Sequence, residues 1–188
     1  MSTEIIILIL ELLAAFFSLL GVLAAAKLSR HTFTFGGIGA IFYGVFFYFE
    51  SFYFSSILQV YFFSMSVWGY FHWKDKEKVK DLIRNPFSFS THLAVVVLVI
   101  FSGYYLSVLF PASKLGFTDA TLMIGSVINT YFLVKADRKT WIYWMIMDCV
   151  YIWQFATAGF VATTVLYTLY LGTSLRNYIL WDGVSKTN

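Results

Sequence analysis

Long apolar runs separated by short polar clusters set the pattern of this chain. Seven runs are of spanning length: Ile5–Ala26, Phe33–Phe49, Phe52–Trp73, His92–Phe110, Thr118–Val134, Trp141–Ala158 and Phe160–Ile179. An α-helix satisfies its own backbone polar groups and crosses the hydrocarbon core in about 20 residues, so each run predicts a transmembrane helix. The second and fifth runs are short, about 17 residues each, but still within range. Barrel strands alternate apolar with polar, and runs this long exclude them. The pattern predicts an all-α integral membrane protein with seven transmembrane helices.

The polar positions carry a second pattern, a repeat at an offset of 108 residues. Glu11 falls on Asp119, Ser18 on Ser126, Lys27 on Lys135, Arg30 on Arg138 and Thr32 on Thr140. Further along, Tyr43 falls on Tyr151, Ser66 on Ser174, Tyr70 on Tyr178 and Trp73 on Trp181. Apolar matches mean little in a chain this greasy; matched charges, serines and tryptophans mean more. The offset lays spans one to three over spans five to seven and leaves span four as a connector. One connecting helix restores the starting side, so the two triplets run in the same direction: a parallel 3+1+3 repeat, the arrangement of full-length SWEET-like carriers. Residues 1–84 form the first repeat, 85–114 the connector and 115–188 the second repeat, together one membrane domain. Transporters built from such repeats bind substrate between them.

Composition agrees. Hydrophobic residues make up 60% of the chain, aromatics 21% and charged residues 12%. That excludes a water-soluble domain with a polar exterior. The net charge of +3 reports topology more than partners. Twelve of the thirteen Lys and Arg fall on one side: Lys27, Arg30, Lys74, Lys76, Lys78, Lys80, Arg84, Lys135, Arg138, Lys139, Arg176 and Lys186, with Lys114 alone opposite. Cytoplasmic loops hold the Lys/Arg excess, so the amino terminus is expected outside and the carboxyl terminus inside. Asp75, Glu77 and Asp81 interrupt the Lys74–Arg84 run, which argues against nucleic acid and for a solvated helix end near anionic headgroups. The first run lacks the basic start of a signal peptide. Cys149 is alone, the three histidines sit at span ends, and no phosphate-cradling loop or nucleophile elbow appears, so neither cofactor nor metal is implied.

What remains is the polar inventory at membrane depth, where an ionisable residue costs about 2.5–3.5 kcal/mol on insertion scales and so faces a cavity or a partner. Asp148 is the deepest. Trp144 lies four residues before it and Tyr151 three after, so the three share a helical face, which Trp141 extends by a turn. An aromatic face with a central carboxylate suits a flat cationic heterocycle, through stacking, cation–π attraction and a charge-assisted hydrogen bond. The plainer alternative puts the tryptophans in the interfacial belt, where Trp181 is also expected, and pairs Asp148 with a buried donor. Gln59 is the one amide of the third span, and an amide in hydrocarbon wants a partner. Asn129 lies opposite Gly21 in the repeat, a break in symmetry of the kind an asymmetric ligand demands. Glu11 reads as reaching the outer surface, and Gln154 and Tyr167 are further candidates.

The run Trp141-Ile-Tyr-Trp144-Met-Ile-Met-Asp148 resembles the W-x-x-W-x-x-x-N/D motif of the PnuC-type vitamin transporters. Leu58-Gln59-Val-Tyr61, followed by Met65-Ser66-Val-Trp68-Gly69-Tyr70 and Trp73, is similar to that family's L-Q-x-x-Y and aromatic segment. The resemblance covers most of the chain. It implies a homotrimer in the bacterial inner membrane, carrying nicotinamide riboside or a related vitamin by facilitated diffusion. An intracellular kinase would then phosphorylate and trap the product. It also implies that Trp144 stacks on the ligand ring, Trp141 buttresses the site, and Asp148 and Gln59 hydrogen-bond the ligand.

Two departures bear on the substrate. Asparagine also occurs in the family where this chain has Asp148, and Asn129 stands where a smaller residue is expected. A carboxylate pairs with an aminopyrimidine, which favours thiamine; family frequency favours nicotinamide riboside. Both carry a fixed positive charge on an aromatic ring. Other classes fare worse. An intramembrane enzyme needs a nucleophile–base pair or metal ligands, and Asp148 and Glu11 are too few and too isolated. A retinal-type photoreceptor needs a lysine in its last span, which holds none. A non-transporting structural or regulatory subunit remains the alternative, and it should show no saturable affinity for vitamins.

Overall fold

Every described element is an α-helix. The computed structural model describes residues 3–49, 53–109, 116–157 and 161–186. In chain order they form α1 (Thr3–Ala25), α2 (His31–Phe49), α3 (Tyr53–His72), α4 (Lys76–Arg84), α5 (Phe89–Leu109), α6 (Phe117–Val134), α7 (Thr140–Thr157) and α8 (Val161–Lys186). Seven of these are long and overlie the seven apolar runs; α4 is an addition.

The chain solvates the reverse of what a water-soluble protein does. Ile5, Leu12, Ile57, Val60, Phe71, Val97, Phe101 and Ile179 are among many large apolar side chains left exposed, while Thr32, Ser126, Asn129, Thr140, Asp148, Ser174 and Asn177 are buried. A soluble monomer rarely exposes an apolar surface of this extent; hydrocarbon accommodates it without cost. Among the described residues, Glu4–Ala25, His31–Phe49 and Phe89–Leu109 are long and apolar enough to cross a bilayer by strict length and hydropathy. α3, α7 and α8 are less apolar because they carry polar side chains, several of them buried between helices.

Neighbouring helices close a ring. α1 packs on α2, α2 on α3, α3 on α6, α6 on α7, α7 on α8, and α8 returns to α1. α5 lies outside, against α6, and α4 packs on α8. α5 docks closely because Gly103 has no side chain: a Cβ there would sit 2.2 Å from Thr121 Oγ1 and 2.9 Å from Thr121 Cα.

The two triplets repeat one another in geometry as well as sequence. α1 and α6 both end in a left-handed residue, Leu28 at φ 51 and Ala136 at φ 52, which are repeat partners. The caps match bond for bond: Leu28 N donates to Ala25 O and Ser29 N to Ala24 O, as Ala136 N does to Leu133 O and Asp137 N to Phe132 O. Such a 6→1 bond with an αL residue is how helices commonly stop. Phe33 meets Trp73 edge-on at 4.9 Å, and its partner Trp141 meets Trp181 edge-on at 5.2 Å. Across the two repeat interfaces, Trp73 Nε1 donates to Val134 O at 2.8 Å and Trp181 Nε1 to Ala25 O at 3.0 Å. These bonds join the C-terminal ends of α1, α3, α6 and α8 at one end of the ring, so those four helices point the same way.

Two sequence expectations change in the folded chain. Trp181 is fully buried, not a belt residue, because its indole fills the junction between the repeats. The Lys74–Arg84 run is not a solvated helix end. It forms the separate helix α4, started by Asp75, whose side chain accepts from Glu77 N and Lys78 N. An Asp at this position satisfies amides that the first turn leaves free. Val79 and Ile83, four residues apart, bury their side chains in the same cluster as Trp73, Trp141 and Trp181.

Candidate functional site

α7 supplies one face of the ring interior. Trp141, Trp144, Asp148 and Tyr151 recur at helical spacing along it and climb from the tryptophan end into the middle of the bundle. Trp141, 1% exposed, belongs to the floor: with Trp73 and Trp181 it closes that end against solvent. Its role is the framework role of its repeat partner Phe33. Trp144, one turn above, is partly buried and packs on the same cluster, leaving part of its ring uncovered.

Asp148 sits a further turn up and is 3% exposed. The Ser174 hydroxyl of α8 is disposed to hydrogen-bond its carboxylate, while Asp148 Oδ2 has no hydrogen-bond partner among the described residues. An unsatisfied carboxylate oxygen at this depth is costly, and native structures retain such a group where a function uses it. Tyr151 stacks on Tyr167 of α8 at 4.6 Å, and Tyr167 meets Tyr170 edge-on at 5.7 Å. Tyr43, the repeat partner of Tyr151, and Asp148 itself lie within electrostatic reach of the Tyr167 hydroxyl. The ring interior between α2, α7 and α8, the α7 compartment, thus gathers tyrosines from all three helices, with a carboxylate to one side and Trp144 below.

The repeat explains why the compartment is lopsided. Where the second triplet has Trp144 and Asp148, the first has Gly36 and Ala40. The backbone of α2 lies close to α1 at Gly36, where a Cβ on Gly21 would come within 3.2 Å of Gly36 N. The carboxylate and the stacking tryptophan therefore come from α7, with no counterpart on α2.

The other expected site residues are placed differently. Gln59 is half-buried on α3 and lies against Gly44, whose Cβ would meet Gln59 Cβ at 3.5 Å. That is about a turn further from the tryptophan floor than Ala40, at the contact between α2 and α3. Asn129 is buried and engaged: its Nδ2 donates to Thr140 O at 3.1 Å, and its Oδ1 accepts from Thr140 Oγ1 at 2.7 Å. It ties α6 to the start of α7, with one hydrogen bond at each amide atom. Glu11 is half-buried on α1, within electrostatic reach of Tyr43.

Three features were not anticipated. Asn177, opposite Gly69 in the repeat, donates to Val22 O at 2.8 Å and ties α8 to α1. Tyr61 OH donates to Val127 O at 2.7 Å and ties α3 to α6. His92 of α5 contacts Asp137 Oδ2 at 3.1 Å through Nε2 and Tyr143 OH at 3.0 Å through Nδ1. Asp137 also accepts from Phe87 N and Lys139 N, so this buried network holds the outlying α5 to the α6–α7 turn. No spacing in the sequence reports it, because its members are 45 to 51 residues apart.

Comparison with known proteins bears on what the compartment is for. Residues 8–183 match the nicotinamide mononucleotide transporter family. The nicotinamide riboside transporter PnuC of Escherichia coli (strain K12) is 21% identical over 194 residues, covering 86% of this chain and 79% of the relative. Its counterpart from Shigella flexneri shows the same figures, 21% over 194 residues. The crystal structure of the vitamin B3 transporter PnuC superposes with a TM-score of 0.72 at 18% identity, covering 94% of this chain and 82% of that one.

Proposed function

The chain belongs to the nicotinamide mononucleotide transporter family, a membrane transporter family and not an enzyme family, and on that footing we propose that it carries nicotinamide riboside across the membrane. The observation that carries the substrate assignment is Asp148: a buried carboxylate with an unpartnered oxygen, set among aromatic rings. A cationic pyridinium ring is the chemistry that such a site accepts. Trp144 offers the stacking face, Asp148 the charge and hydrogen-bond acceptor, and Tyr151 the wall; Gln59 reaches in from α3. Trp141 buttresses from below, and Asn129 fixes the register of α6 against α7. Thiamine is the second reading, favoured by the carboxylate itself, since an aminopyrimidine donates to it directly.

The architecture in this proposal is seven transmembrane helices in a parallel 3+1+3 repeat of the SWEET-like kind. Residues 1–84 and 115–188 are the repeats and 85–114 the connector, with α4 lying along the membrane surface. The matched caps, the matched Phe33–Trp73 and Trp141–Trp181 pairs and the common direction of α1, α3, α6 and α8 support it. Access alternates as the repeats rock about α3–α6 and α8–α1, the end sealed by Trp73, Trp141 and Trp181 being closed in this structure. Transport is facilitated diffusion by a homotrimer in the bacterial inner membrane, and an intracellular kinase traps the product. In proteoliposomes, nicotinamide riboside should equilibrate without accumulating. Concentrative uptake under an imposed pH gradient, lost on Asp148→Asn, would instead make this a proton-coupled carrier.

The tryptophan end also bears Lys27, Arg30, Lys74, Lys135 and Arg138, and we place it in the cytoplasm with the carboxyl terminus, the amino terminus being outside. A Glu77→Cys variant on exposed α4, with Cys149 replaced by Ala, should react with an impermeant maleimide only after permeabilisation. Labelling of intact cells would invert the topology.

A further inference from the structure

Outside the ring, α2 and α3 form an open apolar groove of about 380 Å³ that the transport site does not use. Its floor is Gly37, where a Cβ would meet Ser66 Cβ at 3.3 Å, and its open side is framed by Ile41, Phe63, Val67 and Phe71. It faces away from the transport compartment. Ile41 is two residues from Tyr43 and Thr34 nine, each close to half a turn around α2 from the side that looks inward. Ile41 is 52% exposed, Val67 44% and Phe71 68%, so in a bilayer the groove opens onto acyl chains.

The mouth of this groove carries charge that no described carboxylate neutralises. Arg30 lies 4.8 Å over the ring of Tyr70, which lines the groove beside His31. Its repeat partner Arg138 is ion-paired with Asp182 and hydrogen-bonded to Ser185. Lys186 and Arg138 in turn hold the Asp182 carboxyl below the usual carboxylate range. The residue that stands in the first repeat where Asp182 stands in the second is Lys74. At the repeat position where Arg138 finds its aspartate, the first triplet thus carries a lysine. The acids of the following segment are already engaged: Asp75 caps α4, Glu77 pairs with Lys80, and Asp81 pairs with Arg84. Among the described residues Arg30 has no carboxylate partner.

We propose that the α2–α3 groove binds one acyl chain of an anionic phospholipid whose headgroup phosphate is held by Arg30, with His31 and Lys74 at the same end. A greasy slot at membrane depth below a guanidinium at headgroup level matches both halves of such a lipid, whereas a zwitterionic lipid shares the acyl chain but brings its own cation beside the phosphate. Repeat two lacks the site because Asp182 occupies its arginine. A guanidinium offers a phosphate two parallel N–H donors, which Arg138 already spends on Asp182 and Ser185.

The test uses the purified full chain with phosphatidylglycerol and phosphatidylcholine supplied in equal amounts, retained lipid being counted by native mass spectrometry. Wild type should keep phosphatidylglycerol over phosphatidylcholine by roughly fivefold or more, the scale of one basic residue at an anionic surface. Lys74→Asp supplies the carboxylate that repeat two has, and should erase the preference while some lipid of either kind stays bound. Val67→Trp fills the groove from its exposed wall and should lose both lipids. Lys74 is exposed, so K74D leaves the core untouched and decides alone should V67W fail to fold. Equal retention of the two lipids by wild type, or an unchanged preference in K74D, overturns the proposal. A Val67→Trp protein that changes oligomeric state with its lipid intact assigns the groove to contact between copies of this chain.

Discussion

Trp181→Ala should destabilise the protein by about 3–5 kcal/mol, the cost of emptying a fully buried aromatic site. Trp181 is fully buried, touches Trp141 at 5.2 Å and Trp73 at 5.6 Å, and donates to Ala25 O across the α1–α8 interface. Truncation removes the ring and one of the two donors to Ala25 O, the other being Leu28 N. For a chain of this size, 1 kcal/mol moves the melting temperature by about 2–4 °C, so the fall in detergent should be roughly 6–20 °C. Trp73→Ala, the repeat twin, should behave alike, because its indole makes the matching bond to Val134 O. Trp144→Ala should cost far less, its ring being only partly buried. Equal melting temperatures for Trp181→Ala and wild type would remove the tryptophan junction from the account of stability.

Trp144→Ala should instead act on the ligand. Loss of a stacking face weakens binding by about 1–3 kcal/mol in base–aromatic systems, which is roughly 5- to 150-fold in Kd. Trp144→Phe should recover part of this, because a smaller ring still presents a π-face to a cation. Asp148→Asn keeps the shape and hydrogen-bonding capacity but removes the charge. It should cost more with thiamine, whose amino group seeks an acceptor, than with nicotinamide riboside, whose amide an asparagine satisfies. The melting temperature of each unliganded variant separates the two tryptophans: a change in affinity without a change in stability marks Trp144, and the reverse marks Trp181. If Trp144→Ala binds as wild type does in a folded protein, the ligand sits elsewhere in the ring.

Much of this was written locally in the sequence. Helical spacing alone put Trp144, Asp148 and Tyr151 on one face, because residues three and four apart on a helix are neighbours whatever surrounds them. The repeat was equally plain: matched polar residues located the Trp73–Trp181 pair without any geometry. What the matching did not convey was depth. A tryptophan near a span end reads as interfacial, and nothing in its neighbours says that a second helix end and α4 will cover it. α4 itself was hidden by its charges; its two buried residues, Val79 and Ile83, are too few to stand out among lysines. Asn129 looked like a ligand contact because it broke the repeat, but the break is answered by Thr140, eleven residues on. The His92–Asp137–Tyr143 network was illegible for the same reason: its partners meet only when α5 docks outside the ring. Local periodicity reached the face of each helix, and tertiary closure decided which polar atoms remained free.

The most direct measurement is a calorimetric titration of the purified, folded protein with nicotinamide riboside, thiamine, riboflavin and a deoxynucleoside. Saturable binding of nicotinamide riboside, tighter than of the other three and weakened in Trp144→Ala, is the expected result. No binding of nicotinamide riboside beside saturable binding of thiamine would move the substrate to the aminopyrimidine. Binding of none of the four, in a protein that melts cooperatively, would contradict the assignment of the α7 compartment as a vitamin site.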